Sequence, residues 1–250
     1  MIELTDQHIF VFGGSRGIGR AVAILSAKAG ANVTVGFHTD GAAAEEVCEK
    51  INSMGRNAIK VQCDASVDGE VKRAYAESVN SLGRINGVCI AAGIFKPTPI
   101  DSTSVEEWDS TFDINLRSTF LSVRDCLPYI ADKNGSIVII TSAAGQLGSS
   151  IYSAYATSKA AQMNFMRSMA KELGERSIRV NCVAPGWTET DLVKKTLDSI
   201  GRDTVVRDIP LGRLGRPEDT GYAACFLMSP ISSFITGSTI TVNGGFHMPP

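Results

Sequence analysis

Tyr155 and Lys159 stand four residues apart in SAYATSKAAQMNFMRSMAKEL, and Ser142 lies thirteen residues before the tyrosine, at the end of the apolar run Ile137–Ile140. On a helix, positions i and i+4 share a face, which brings the phenol and the ammonium together. Tyrosine ordinarily ionises near pH ~10. A neighbouring cation stabilises the phenolate and moves that value toward the range where general acid–base chemistry works best. Ser142, at the mouth of a sheet, adds a hydroxyl able to polarise a carbonyl. A lone Tyr-x-x-x-Lys is commonly just a packed ring beside a solvated amine, but two features set this one apart. Tyr152 has Ala156 at i+4 and so lacks a cation, and the helix around Tyr155 is small-sided (Ser153, Ala154, Ala156, Ser158, Ala160, Ala161), leaving room for a ligand.

A second constellation lies near the start. Val11 to Ala21 reads as a strand, a glycine-rich turn (Gly13, Gly14, Ser15, Arg16, Gly17, Ile18, Gly19) and the beginning of a helix. The unpaired N–H groups and positive end of that helix suit a pyrophosphate. The spacing is G-x-x-x-G-x-G, unlike the commonest dinucleotide fingerprint, G-x-G-x-x-G. A ribose 2′-hydroxyl is usually held by an acid at the end of the second strand. Here that place reads Gly36-Phe37-His38-Thr39. Asp40 follows and precedes Gly41-Ala42-Ala43-Ala44-Glu45, so its expected role is helix N-capping. Arg16, His38 and Thr39 are suited to a 2′-phosphate, which favours NADP(H) over NAD(H).

Positioning these groups requires alternating elements. Short apolar runs occur at His8–Phe12, Asn32–Val35, Ala58–Val61, Val88–Ala92, Ile137–Ile140, Arg179–Val183 and Thr239–Val242. Between them lie helical patterns near Gly19–Ala29, Ala42–Met54, Asp68–Ser81, Val105–Ala131, Ala154–Glu175 and Pro217–Met228. The alternation predicts an α/β fold: one doubly wound, Rossmann-type parallel sheet of about seven strands, helices on both faces, in a single domain over 1–250. Candidate residues follow six of the strands, where ligands bind in such sheets. The polar stretch 188–216, with Gly201, Gly212, Gly215 and Pro210, is expected to act as a lid.

Composition narrows the partners. The 24 basic residues nearly balance the 26 acidic ones, a net charge of −2, which gives no reason to expect nucleic acid or a membrane surface as a partner. No apolar run approaches the ~20 residues that a bilayer requires, and no basic leader precedes the first apolar stretch. Six widely spaced cysteines form no C-x-x-C pair, and three of them fall in apolar strand-like runs, where a reduced cysteine is a small hydrophobe. A cytoplasmic protein without a metal site is expected.

The glycines 13, 17 and 19, Asp64, the Ala92-Gly93 turn, Asn115 in Asp113-Ile114-Asn115-Leu116, Ser142, Tyr155, Lys159, Pro185-Gly186-x-x-x-Thr190 and Val242-Asn243-Gly244-Gly245 fall in the order seen in the short-chain dehydrogenase/reductase family. The chain resembles that family over essentially its whole length. The resemblance implies hydride transfer between nicotinamide C4 and a carbonyl or carbinol carbon. Tyr155 would exchange the proton, Ser142 would bind the substrate oxygen, and Lys159 would lower the Tyr155 pKa and hold the nicotinamide ribose. Asn115 would hold a water linking Lys159 to solvent. Thr188 and Thr190 would position the carboxamide beside Pro185 and Gly186, Asp64 the adenine with Ala65 adjacent, and Ala91 with Gly93 the adenosine ribose. Two departures are visible: Phe12 replaces the usual threonine, and Ile90-Ala91 replaces two asparagines. Phe12 and Ile90 are expected to pack together, exchanging a hydrogen bond for buried area.

Substrate is less legible. The overall likeness is to 3-oxoacyl-(acyl-carrier-protein) reductases and to sugar, steroid and alcohol dehydrogenases built like them. Gln146, Tyr152 and Trp187, with Leu147 and the segment Ile94–Pro99, are expected to wall a pocket for a small or medium carbonyl compound. An acyl carrier protein is acidic and would need a basic patch: Lys133, Arg167, Lys171 and Arg176, or Lys194, Lys195, Arg202 and Arg207. An NAD-dependent dehydrogenase running oxidatively is the alternative, and an idle scaffold is disfavoured by the full set Asn115, Ser142, Tyr155 and Lys159. Relatives of this kind usually assemble as homodimers or homotetramers.

Overall fold

The computed structural model describes residues 2–249, so the two end residues of the expected 1–250 span lie outside the described residues. Seven strands form one sheet: β1 His8–Phe12, β2 Asn32–Phe37, β3 Ala58–Gln62, β4 Gly87–Ile90, β5 Ser136–Ile140, β6 Arg179–Pro185 and β7 Thr239–Val242. Their order is β3-β2-β1-β4-β5-β6-β7, and every neighbouring pair is parallel. The order reverses between β1 and β4, which opens a crevice at the carboxyl ends of those strands.

Among the described residues, ten α-helices connect and cover the strands: α1 Gly17–Lys28, α2 Gly41–Asn52, α3 Glu70–Leu82, α4 Val105–Phe112, α5 Ser118–Cys126, α6 Ala144–Leu147, α7 Ser153–Glu172, α8 Asp191–Ile200, α9 Arg202–Arg207 and α10 Pro217–Met228. Alternate strand residues serve opposite faces. Phe10, Phe12, Val88, Ile90, Ile137 and Ile139 pack with Val71, Tyr75, Leu121, Met163 and Met166 of α3, α5 and α7. Ile9, Val11, Val33, Val35, Val138 and Ile140 pack with Val22, Val47, Ile51 and Leu227 of α1, α2 and α10. Both faces of the central strands β1, β4 and β5 are covered, so these are buried along their length and mostly apolar, whereas the edge strand β3 exposes Lys60 and Gln62.

Phe12 stands opposite Ile90 in the β1–β4 register. Both are buried, with the Tyr75 ring edge-on to Phe12 at 5.4 Å between centroids. The departure is thus a packed apolar contact, as the side chains suggested.

The expected long helix 105–131 is in fact three pieces. A π-helical turn, Asp113–Arg117, separates α4 from α5. The i, i+4 pattern alone does not reveal such a turn, which Asn115 braces through tertiary hydrogen bonds. Pro128, without an N–H, ends the run just beyond α5. The segment 188–216 is more ordered than a loop. It carries α8 and α9, gathered about a small cluster of their own comprising Leu197, Val205, Ile209 and Leu214.

Candidate active site

The α1 turn is built by backbone geometry. Gly13 has φ +71°, a conformation side chains rarely adopt, and a Cβ there would meet the Ala92 backbone nitrogen at 2.9 Å. A Cβ on Gly19 would overlap the Gly13 carbonyl. Arg16 caps α1 with extended backbone and makes no side-chain cap hydrogen bond. Asp40 accepts from the Ala43 N–H at 3.0 Å and so caps α2.

Above this turn runs a cleft of ≈ 690 Å³, reaching from His38 and Asp64 past Gly93 to Tyr155. Gly13, Ser15, Arg16, Gly17, Ile18, Gly19, His38, Thr39, Asp64, Ala65, Ala91, Gly93, Pro185, Gly186, Thr188 and Thr190 all line it, joined by Ser142, Tyr155, Lys159 and Trp187. The structure therefore brings together residues from six strand ends. An elongated cleft with a side-chain-free turn at a helix start and a phenol at the far end fits a dinucleotide with its nicotinamide near Tyr155.

Three anticipated residues lie elsewhere. Asn115 is fully buried behind the wall: its Oδ1 accepts from the Ile94 N–H at 2.8 Å, and its Nδ2 donates to the Ile94 carbonyl at 3.1 Å and to Ser158 Oγ at 3.0 Å. Its carbonyl accepts from Gln162 Nε2 at 2.8 Å and Thr119 Oγ1 at 2.9 Å. These contacts make Asn115 a brace for the loop after β4. Gln146 points away from the cleft, its Nε2 donating to Thr241 Oγ1 at 3.3 Å. Tyr152 is buried beneath Phe95, stacked at 4.2 Å, and its hydroxyl meets Thr196 of α8 at 3.1 Å. Neither Gln146 nor Tyr152 lines the cleft.

Of the expected wall, Ile94, Phe95, Leu147 and Trp187 do line the cleft, the Phe95 ring edge-on to Tyr155 at 4.8 Å. Leu192, Val193 and Phe246 join them. Leu192 and Val193 sit on α8, and Phe246 directly follows the Gly244-Gly245 turn. The only sequence signal for them was apolar residues in otherwise polar or turn-rich segments, a pattern that does not say which way a side chain points.

Lys159 is buried, and its Nζ donates to the Ile140 carbonyl at 3.0 Å. It lies 5.8 Å from the centroid of the Tyr155 ring. Burial pushes the Lys159 ammonium down to about 8. Burial also raises the Tyr155 phenol above its ordinary value, with the Ser142 hydroxyl pulling part of the way back. The net direction for the phenol is therefore upward, where a lowering was expected, because burial dominates. The ammonium is aimed at the end of β5, and loss of solvent outweighs its influence on the phenol. Ser142 Oγ accepts from the Ala144 N–H at 3.1 Å, which fixes the hydroxyl at the start of α6.

Residues 13–247 match the family model described as enoyl-(acyl carrier protein) reductase. A 3-oxoacyl-(acyl-carrier-protein) reductase from Chlamydia muridarum is 37% identical over 247 residues, covering 97% of this chain and 98% of that protein. A short-chain dehydrogenase/reductase from Brucella melitensis, described as a glucose/ribitol dehydrogenase, superposes with a TM-score of 0.93 at 31% identity, covering 98% of both chains. A short-chain dehydrogenase from Burkholderia cenocepacia in complex with NADP superposes at 0.91 with 28% identity, covering 98% of this chain and 99% of that one. With a model match spanning almost the whole chain and the strand-end cleft that such enzymes require, this protein belongs to the short-chain dehydrogenase/reductase family of oxidoreductases.

Proposed function

We propose that this oxidoreductase reduces a carbonyl to an alcohol with NADP(H), and that its substrate is a 3-oxoacyl thioester or a ketone of similar size. The carrying observation is the convergence of the Ser142 hydroxyl and the buried Tyr155 phenol at one end of a cleft whose other end holds Arg16 and His38. The identity to 3-oxoacyl-(acyl-carrier-protein) reductases and the NADP carried by a structural relative support this reading. The family-model description names an enoyl reduction; two hydroxyl donors meeting at one point suit a carbonyl oxygen that gains a proton.

The cofactor, when bound, supplies the hydride. Ser142 donates a hydrogen bond to the substrate oxygen, and Tyr155 gives that oxygen its proton as negative charge develops there. Burial suits this role, because a phenol held above its ordinary pKa keeps its proton until a stronger base, the nascent alkoxide, appears. The Lys159 charge then stabilises the phenolate left behind. Phe95, Trp187 and Phe246 keep water from the reacting carbon and favour an apolar substituent.

For docking an acidic carrier, the basic candidates are unequal. Arg176 is already paired with Asp132 at 2.8 Å and Arg202 with Glu189, so Lys133, Arg167 and Lys171, or Lys194, Lys195 and Arg207, would have to provide the attraction.

The test is NADPH oxidation against 3-oxoacyl thioesters, diketones, sugars and steroid ketones. Tyr155→Phe should lower kcat about 10²–10⁴-fold while NADPH still binds. Undiminished turnover in Tyr155→Phe would remove the tyrosine from the mechanism, and activity confined to sugars would replace the substrate class.

A further inference from the structure

Lys159 follows Tyr155 by one turn of α7, and Gln162 follows Lys159 by three residues, so the three share a helix face. Gln162 is fully buried, a place where glutamine is seldom found. Its Nε2 donates to the Asn115 carbonyl at 2.8 Å and to Thr119 Oγ1 at 2.6 Å, so both amide protons are used. Chemistry fixes this orientation: a carbonyl only accepts, and exchanging the amide N and O would set two acceptors against each other. Gln162 Oε1, by contrast, is buried without a hydrogen-bond partner among the described residues.

That imbalance argues against a purely structural residue. A buried acceptor left unpaired costs stability, whereas an apolar side chain of similar volume carries no such penalty. Nor does the Asn115 carbonyl need the glutamine for its own satisfaction, because Thr119 Oγ1 already donates to it at 2.9 Å. What the amide adds is a tie that holds the Asn115 backbone against the helix carrying Tyr155. The tie falls on the π turn Asp113–Arg117, and such turns are frequent at functional sites.

From Asn115 the contacts run to the reacting end of the cleft. Its side-chain amide pairs with both backbone groups of Ile94 and with Ser158 Oγ, which in turn donates to the Tyr155 carbonyl at 2.7 Å. Ile94 leads into Phe95, whose ring stands edge-on to Tyr155. A Cβ on Gly93 would meet Asn115 Oδ1 at 3.0 Å and Lys159 Nζ at 3.6 Å, so the amide and the ammonium close on one point of the wall. We propose that Gln162 is a positioning residue for hydride transfer, a role that rests on the carbonyl-reduction reading above. By holding Asn115 it sets where the Ile94–Phe95 wall and the Tyr155 phenol stand relative to the substrate oxygen. Gln162 is not among the residues lining the cleft, so substrate and cofactor still find their places without it. Its loss falls on kcat, because the proton donor is then misaligned in the transition state.

The experiment compares Gln162→Met and Gln162→Glu with the wild type, on the full chain, using whichever compound of the panel above the wild type turns over. Gln162→Met keeps the length, removes both donors and leaves no orphan acceptor. Its kcat should fall at least about tenfold, with KM and the NADPH dissociation constant within about twofold and the unfolding midpoint lowered by no more than about 4 °C. Gln162→Glu turns an acceptor toward the Asn115 carbonyl unless it carries a proton, and burial raises a carboxyl pKa. Its kcat should therefore recover at least about threefold from about pH 7.5 to about pH 6, a range over which the wild type holds level. An unchanged kcat in Gln162→Met, or a loss carried by KM, would overturn the proposal and leave the carbonyl-reduction reading standing. A fall in kcat with a midpoint more than about 4 °C lower, and no recovery of Gln162→Glu at low pH, would make the residue structural and overturn it too. Activity confined to alcohol oxidation would replace that reading and leave the comparison of variants intact. A wild type that turns over nothing would remove both.

Discussion

Lys159 and Tyr155 share one helix face, but the buried end of the cleft treats their charges differently. The ammonium is driven down to about 8 and the phenol is driven up. Below about pH 8 the lysine is charged and the tyrosine protonated, the pair of states that the proposed reduction needs. As pH rises through about 8, Lys159 loses its proton first and the phenolate loses its stabilising charge. The kcat/KM for carbonyl reduction should therefore decline above about pH 8, and Lys159→Met should abolish activity instead of shifting the profile. A rate that holds level to pH ~10, where an ordinary lysine titrates, would show that the buried ammonium is not the controlling group.

Among the elements, the β1–α1 turn is the most constrained. The Gly13 and Gly19 backbones approach so closely that the start of α1 is held against the end of β1, and Gly13 also meets the chain leaving β4. Gly19→Ala should widen the turn and raise the NADPH dissociation constant at least about 100-fold, since a misplacement of about 1 Å carries a loss of that size. Its thermal unfolding should change much less, because the clash is local; a variant that binds NADPH normally would show that the turn can relax. The π turn at Asp113–Arg117 is a different kind of constraint. It turns the Asn115 amide toward Ile94 and Ser158, tying the π turn, the loop after β4 and α7 into one brace behind the cleft.

Across the whole molecule, stability carries its own pH dependence, from the end of the sheet opposite the cleft. His8 is buried at the start of β1, with Nδ1 2.8 Å from the Gly83 carbonyl and Nε2 2.9 Å from Thr34 Oγ1. Burial lowers its pKa below the ordinary 6.5, against a smaller upward pull from Gly83. The folded protein then binds fewer protons than the unfolded chain, so this contribution is complete above pH 6.5 and is lost as pH falls below it. Urea unfolding free energy should drop by up to about 1.4 kcal/mol per pH unit on that side. The drop should flatten in His8→Gln; an unchanged slope in that variant would assign it to other groups.

The alternation of apolar strands and helices, the glycine turn, and the Ser142, Tyr155 and Lys159 set were legible in the order of residues. Each of these rests on local periodicity or on chemistry that only certain residue types supply. The α2 cap by Asp40 and the Phe12–Ile90 contact were legible for the same reason, since one needs only neighbours in sequence and the other only adjacent strand ends. Tertiary structure alone decided what depends on direction and environment. It broke the expected 105–131 helix at the π turn, because the hydrogen bonds that hold Asn115 come from residues 94, 158 and 162. It turned Gln146 and Tyr152 off the wall and put Leu192, Val193 and Phe246 there beside Phe95. It also set the net direction at Tyr155 upward, because sequence spacing brings a cation near a phenol but does not reveal how much water both have lost.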